Sequence, residues 1–486
     1  MLNFEPKIVW QRFDELLSIP RCSKCEEKIR NYLEENAKRR KIKYASDAIG
    51  NIVYYVPASS GMERKKTLIL QAHMDMVCNK LDGIEHDFSK DRIKVKIDGD
   101  YLLSRGTTLG ADNGIGMAIM LAIADDQSFC HGPMELLFTV DEESGLTGAF
   151  ELDTSLITGK TLINLDNEEL GYICVGSAGG ADIICNVPSG DKLSTENMQC
   201  YKIVLKGLKG GHSGIDIHLP RLNAIKSIVD ILKSIRDDLP EVLLISINGG
   251  TQKNAIPREA TLEIAIYTQK QSCLDKIIQE KNQNERRIEP GYSLSLEKMD
   301  YKQGITGINP LRLIDTIMAI PNGVIRMSRD IKDFVETSNN IGLIKTTDNA
   351  IIITSHTRSC RIEDLNGIHQ QITSNINALG TKFSGVTTEI VSGYPGWNPD
   401  PSSDVLQLCI NVWENMHGLS PIVKALHAGL ECGILKDNIG NLDAVSIGPQ
   451  IEHPHSPDEK VRISSVKEFY DYLKQIIQSI PEKQES

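Results

Sequence analysis

Four apolar runs in this chain each end at a histidine or a carboxylate, and that repeated placement limits the fold more than any other feature. KTLILQAH closes at His73, PMELLFTVDEE at Glu142 and Glu143, KTLINLD at Asp166, and LDAVSIGP runs on to His453 and His455. Short apolar runs bounded by turn residues read as buried strands. Helix-period segments lie between them, which is the pattern of βαβ units and a mostly parallel sheet. ADNGIGMAIMLAIADD, between the first two runs, is apolar on all sides and reads as a buried helix with Asp112 near its start. Open sheets of this kind collect ligands just outside the carboxyl ends of their strands. Side chains spread along most of the chain are thereby predicted to meet in one place.

The length, 486 residues, suits two large domains or about three average ones. From about 181 to 392 the strands alternate more visibly (YKIVLKGL, EVLLISING, ATLEIAIYT, AIIITSHTRS) between polar helical stretches such as LDKIIQEKNQNERR. That suits a separate α+β domain with one solvated sheet face. Its edges are marked by VGSAGGAD and GYPGWNPDPSS, and LDAVSIGP beyond the second edge resembles the strands of the first part. We therefore expect an α/β domain made of residues 1–180 and 393–486, its central, mostly parallel sheet flanked by helices, and interrupted by an α+β insertion over 181–392.

Residues 53 Lys+Arg against 65 Asp+Glu give a net charge of −12, so neither nucleic acid nor an anionic membrane is an expected partner. MLNFEPKIVWQRF lacks the apolar centre of a signal peptide, and GMAIMLAIA stops at Asp125, far short of a membrane span. Eleven scattered cysteines read as reduced thiols, and the expected location is the cytoplasm. The CSKC motif at Cys22 and Cys25 has no partner pair for a zinc site, and GADNGIG lacks the spacing of a dinucleotide fingerprint.

Histidine and carboxylates without thiolates suit zinc, cobalt or manganese in a catalytic site. Two histidines and three carboxylates cannot fill two separate four-coordinate sites. They can if one carboxylate and one water are shared, and such a pair of ions acidifies the water and clamps a developing oxyanion. One carboxylate is then left over as a general base. Each piece has a plainer reading. Asp112 could cap its helix, Asp141-Glu142-Glu143 could be a solvated turn, and His73 with Asp75 could be a hydrogen-bonded pair at a strand end.

The run QAHMDMV, RGTTLGADNGIGMA, DEESGLTGAF, INLDNEE, GLKGGHSG, NAIPREA, HAGLECGIL and SIGPQIEHPHSPDE resembles the aminoacylase/carnosinase metallopeptidase family, and within it the Xaa-His dipeptidases, over essentially the whole chain. The resemblance implies a two-zinc catalytic domain with an inserted lid. It also implies hydrolysis of dipeptides, notably those ending in histidine such as β-alanyl-histidine (carnosine), and allows a homodimer through the lid. It places His73 and Asp166 on one metal, Glu143 and His455 on the other, and Asp112 between them. Glu142 becomes the general base and Asp75 the carboxylate that orients His73, while His453 is left without a ligand role. In the lid it points to His212 for the scissile carbonyl oxygen, and to Asn254 and Arg358 for gripping substrate. An arginine fork suits a dipeptide's terminal carboxylate, although a strand-face salt bridge would explain Arg358 as well. His427 and Glu431 of HAGLECG receive no role. An N-acyl amino-acid hydrolase on the same metals is the competing enzyme reading. A binding protein that has lost catalysis is the third, and Glu142 speaks against it, since binding alone needs no base.

Overall fold

A computed structural model of the chain describes residues 2–189, 192–193, 197–300, 305–306, 309–329, 331–380 and 385–483. The chain forms two compact units. The first comprises Met1–Ser177, Trp397–Ala425 and Leu430–Ser486; the second comprises Ala178–Gly396 and Leu426–Gly429. The C-terminal portion of the first unit is not continuous, because residues 426–429 belong with the second unit.

In the first unit an eight-stranded sheet runs in the order Lys43–Ser46, Ile52–Val56, Met134–Thr139, Leu68–His73, Thr161–Asn164, Asp443–Ser446, Tyr172–Ser177, Ile422–Leu426. The four strands at its centre are the four apolar runs, and they pair in parallel. Antiparallel strands flank them. Every residue of Leu68–His73 and Met134–Thr139 is buried, as expected of strands covered by helices on both faces. The helix Ala111–Asp125 buries nearly all of its length, including Ile115, Met117, Ile119 and Leu121. A small antiparallel sheet joins Ile451–Glu452, Lys460–Arg462, Tyr101–Ser104 and Val95–Asp98. It brings the chain just before Lys460 beside the loop that leads into Asp112.

The second unit is built on a nine-stranded sheet whose described pairings are antiparallel. Helices Ala224–Asp238, Gln271–Glu285, Pro310–Ala319 and Ile362–Gly380 contribute Ile228, Leu232, Ile277, Ile317 and Ile372 to one apolar core with the strands. Alternating burial along Met198–Lys206 and Ala260–Tyr267 marks the amphipathic, single-faced strands that the sequence pattern predicts.

The cysteines depart from expectation. Cys22 is disulfide-bonded to Cys78, with their Cα atoms 5.6 Å apart, so the reading of every cysteine as a free thiol does not hold. Cys25, the other member of CSKC, is a free, exposed thiol. Among the described residues no helix is long and apolar enough to cross a membrane.

Candidate active site

His73 ends the central strand Leu68–His73 and is 1 % exposed. Two residues on, Asp75 is fully buried, and its Oδ1 lies 3.3 Å from His73 Nδ1. That carboxylate also accepts the backbone N–H of Glu142 at 3.0 Å and of Glu143 at 3.2 Å, and the Ser23 hydroxyl at 2.8 Å. Asp75 thus ties the end of one strand to the turn that follows its neighbour. A histidine that meets a metal through one ring nitrogen commonly gives the other to such an oxygen, which fixes ring and tautomer.

Asp112 does not cap its helix. The residue in the capping position is Gly110, and Asp112 and Asn113 themselves have non-helical backbone angles. Its side chain instead faces two imidazoles: Oδ1 is 3.0 Å from His73 Nε2, and Oδ2 is 3.0 Å from His455 Nε2. Its backbone is held by Glu459, a carboxylate 2 % exposed that accepts N–H groups from Leu109, Gly110, Ala111 and Asp112 at 2.7, 3.0, 2.7 and 3.3 Å. Asp166 Oδ1 stands 3.3 Å from His73 Nε2, and Glu143 Oε2 stands 2.9 Å from His455 Nε2. His453 is exposed, two residues from His455.

Two three-residue groups result, His73–Asp112–Asp166 and Asp112–Glu143–His455, each with donor atoms within 4.8 Å of one another, and both contain Asp112. Donors on one tetrahedral zinc at about 2.0–2.2 Å lie roughly 3.2–3.6 Å apart, so these spacings suit two ions sharing one carboxylate. The electrostatics agree. Burial opposes charge on His73, yet Asp166, Asp112 and Asp75 hold its pKa well above the usual histidine value. Hydrogen bonds to Asp112 and Glu143 push His455 up to about 11. Burial, then the neighbouring carboxylates, raise Asp166 to about 7 and Glu168 to about 9. Negative charge is in excess here, and oxygen and imidazole donors in that state fit divalent cations.

Glu142 and Glu143 open the short helix Glu142–Gly145. Burial raises the Glu142 carboxyl well above its ordinary value; His73 opposes this, and Asp166, Glu431 and Glu143 add to it. Glu142 also lies within 4.8 Å of His73 and Glu143. Under these residues runs a buried polar network. Gln71 Nε2 donates to Thr139 Oγ1 at 3.0 Å and to Glu431 Oε2 at 2.5 Å, and Gln71 Oε1 accepts from Asn164 Nδ2 at 2.6 Å. Three adjacent parallel strands are thereby locked in register below the site.

His212, Asn254 and Arg358 belong to the second unit. His212 pairs with Ala255 across a two-residue ladder, and the Asn254 carbonyl accepts the Ser213 N–H at 2.8 Å. Its Nδ1 accepts the N–H groups of Gly214 and Ile215 at 3.2 and 3.0 Å, which leaves the proton of the neutral ring on Nε2. Burial, then Arg358, lower His212 to about 4. The glycine-rich approach is required: Gly207, Gly210 and Gly211 have φ of +85°, +63° and +141°, and a Cβ on Gly214 would fall 2.0 Å from the His427 carbonyl oxygen. Asn254 is exposed. Arg358, 5 % exposed, gives Nη1 to the Tyr394 hydroxyl at 2.8 Å rather than to a carboxylate, and its Nε has no partner among the described residues. His427 Nε2 lies 2.7 Å from Ser338 Oγ, and burial lowers this histidine to about 3.

The chain matches the description of Peptidase family M20/M25/M40 over residues 69–479. It belongs to this family. Among curated relatives of this M20/M25/M40 peptidase, the cytosol non-specific dipeptidase of Escherichia coli K12 is 40 % identical over 487 residues, covering 99 % of each chain. Among solved structures, the aminoacylhistidine dipeptidase of Vibrio alginolyticus superposes with a TM-score of 0.89 at 38 % identity, covering 99 % of this chain and 98 % of that one. The aminopeptidase PepT of Bacillus cereus shares the fold, with a TM-score of 0.56 at 17 % identity and coverage of 98 % and 99 %.

Around the site of this peptidase stand residues that the sequence does not single out by pattern. Glu459 sits four positions after His455, at the end of SIGPQIEHPHSPDE, and its spacing from that histidine is its one sequence signal. Gln71 and Thr139 carry no periodic or charge signal, because each is a polar residue inside an apolar strand.

Proposed function

We propose that this chain is a two-metal dipeptidase that cleaves the single peptide bond of dipeptides, including those ending in histidine such as β-alanyl-histidine. The observation that carries the reading is the position of Asp112: its two oxygens each face one imidazole Nε2 at 3.0 Å. His73 and Asp166 would hold one divalent ion, Glu143 and His455 the other, and Asp112 both; zinc suits the donors, as do cobalt and manganese. When bound, such a pair acidifies a water molecule and steadies negative charge on the carbonyl oxygen. Glu142 takes a proton from the attacking water and delivers it to the leaving amine, so the peptide bond is replaced by a carboxylate and a free amine. Asp75 keeps His73 in one tautomer. The Nε2–H of a neutral His212 is assigned to the oxyanion, and Arg358 and Asn254 to the dipeptide's carboxylate end.

The relatives' names support a dipeptide substrate and differ in breadth, one being called non-specific and the other aminoacylhistidine. The first name also supports a cytosolic location. The test compares β-alanyl-histidine, a dipeptide without histidine and an N-acetyl amino acid. Hydrolysis of the dipeptides should vanish on chelation and return with zinc, cobalt or manganese. Faster cleavage of the N-acetyl compound would turn the reading toward an acylase.

Two substitutions probe the second unit. Arg358→Ala is expected to cut kcat/KM for β-alanyl-histidine about 10–100-fold, from the roughly 1.5–3 kcal/mol of a hydrogen bond to a charged group. The corresponding dipeptide amide, which lacks the carboxylate, should lose far less, and equal losses would refute the role. His212→Ala should retain its metal and lose about 10²–10³ in kcat, the usual worth of one oxyanion donor. Nitrogen-15 spectra of the imidazole should show the Nε2–H tautomer, still neutral at pH 5.5, because its pKa sits at about 4 and the ring charges only below that.

A further inference from the structure

Arg21 is 2 % exposed and points its guanidinium between the two loops that carry the proposed ligands. Nη1 donates to the Met74 carbonyl at 3.2 Å and to the Asp75 carbonyl at 2.8 Å; Nη2 donates to the Gly110 carbonyl. The first two oxygens belong to the loop that follows His73, and the third to the turn that delivers Asp112. Gly110 has φ +70°, and a Cβ there would lie 2.5 Å from Arg21 Nη2, so the turn accepts the fork only as glycine. The neighbours of Arg21 bind the same loop. The Arg21 carbonyl accepts the Met76 N–H at 3.0 Å, Ser23 Oγ donates to Asp75 Oδ2 at 2.8 Å, and Cys22 is bonded to Cys78. On the other side of the Asp112 turn, Glu459 holds the backbone N–H groups. One turn is thus gripped by its carbonyl from Arg21 and by its amides from Glu459.

We infer that Arg21 is a positioning residue for the metal pair: its fork sets the separation of the His73–Asp75 loop from the Asp112 turn, and with it the spacing between His73 and the shared carboxylate. This rests on the ligand assignment proposed above. The guanidinium is fitted to that task in a way a lysine is not. A planar fork can serve carbonyls on two loops at once, whereas an ammonium is a single point of attachment. Charge alone would be satisfied by either residue, since Glu459, Asp75, Asp112 and Glu143 all favour a positive charge at this position.

The test is metal affinity rather than activity. Metal-stripped protein is titrated with zinc against a chromophoric chelator, with far-UV circular dichroism to verify folding. The parent should take up two ions; if it does not, the ligand assignment fails and Arg21 is not at issue. Arg21→Lys should remain folded and bind at least one ion about 10–100-fold more weakly, the usual effect of losing a group that orients ligands. A residue with only a structural role would lower the melting temperature and leave affinity within about threefold, and that result overturns the inference. Should Arg21→Lys fail to fold, Gly110→Ala decides, because its Cβ would push Arg21 Nη2 off the Gly110 carbonyl. It should weaken zinc binding by more than about threefold, and unchanged affinity would equally overturn the idea.

Discussion

Replacing Glu142 by glutamine is expected to lower kcat by about 10³–10⁴ or more while both metal ions remain bound. General-base catalysis is worth roughly 10²–10⁴ on its own, and here one group both takes a proton from water and gives it to the amine. Glutamine keeps the shape and cannot carry the proton. Burial raises the Glu142 carboxyl well above its usual range, which brings its basicity nearer that of a group able to hold a proton between the two halves of the reaction. Glu142 shares a cluster with His73 and Glu143, so its identity as base rather than ligand is open to direct measurement. Metal analysis of Glu142→Gln decides it: two ions retained with activity gone marks a base, and one ion lost marks a ligand. A variant keeping a tenth of the parent kcat would remove Glu142 from the mechanism.

The second large effect is expected at Asp112. Glu143→Gln and Asp166→Asn each remove a carboxylate from one of the two clusters, and each should chiefly weaken one ion. Asp112→Asn removes charge from both clusters and turns one of the two oxygens facing the imidazoles into a donor. Stoichiometry by metal analysis should fall below one ion per chain, and dipeptide hydrolysis should fall to background. The turn itself should survive, because Glu459 holds it through backbone groups that the substitution leaves in place. Two tightly bound ions in Asp112→Asn would show that the carboxylate is not shared.

The central sheet was legible because each of its parallel strands is a continuous apolar run that finishes in a polar side chain, a pattern that few other structures produce. The gathering of histidine and carboxylate side chains was legible for the same reason: strand ends converge. Asp112 was ambiguous, since an aspartate before a helix caps it more often than it binds anything. What resolves it is tertiary, namely two imidazoles arriving from His73 and His455 and a backbone occupied by Glu459. Arg21 was not legible at all, because its meaning lies in three carbonyl oxygens distant in sequence, and carbonyls leave no trace in composition. The pairing of Cys22 with Cys78 leaves no local signal either, since the two residues are 56 positions apart in sequence. The return of residues 426–429 to the second unit had no sequence signal either, since it depends on His427 meeting Ser338 and on Leu426 accepting the Ala178 N–H at 3.0 Å.

That four-residue return has a consequence for how this architecture can be taken apart or recombined. A unit inserted at one point is a cassette: it can be excised, transplanted between homologues or expressed alone with two cuts. Here the chain passes between the units at four places, after Ser177, Gly396, Ala425 and Gly429. A fragment spanning 178–396 would lack the histidine that Ser338 contacts and the carbonyl that pairs with Ala178. A chimera made by exchanging that fragment would set a new body against an old Leu426–Gly429. Exchanges between relatives should therefore succeed only when both windows travel together, and homologous sequences should show correlated change between residues 426–429 and the neighbourhoods of Ala178, Gly214 and Ser338.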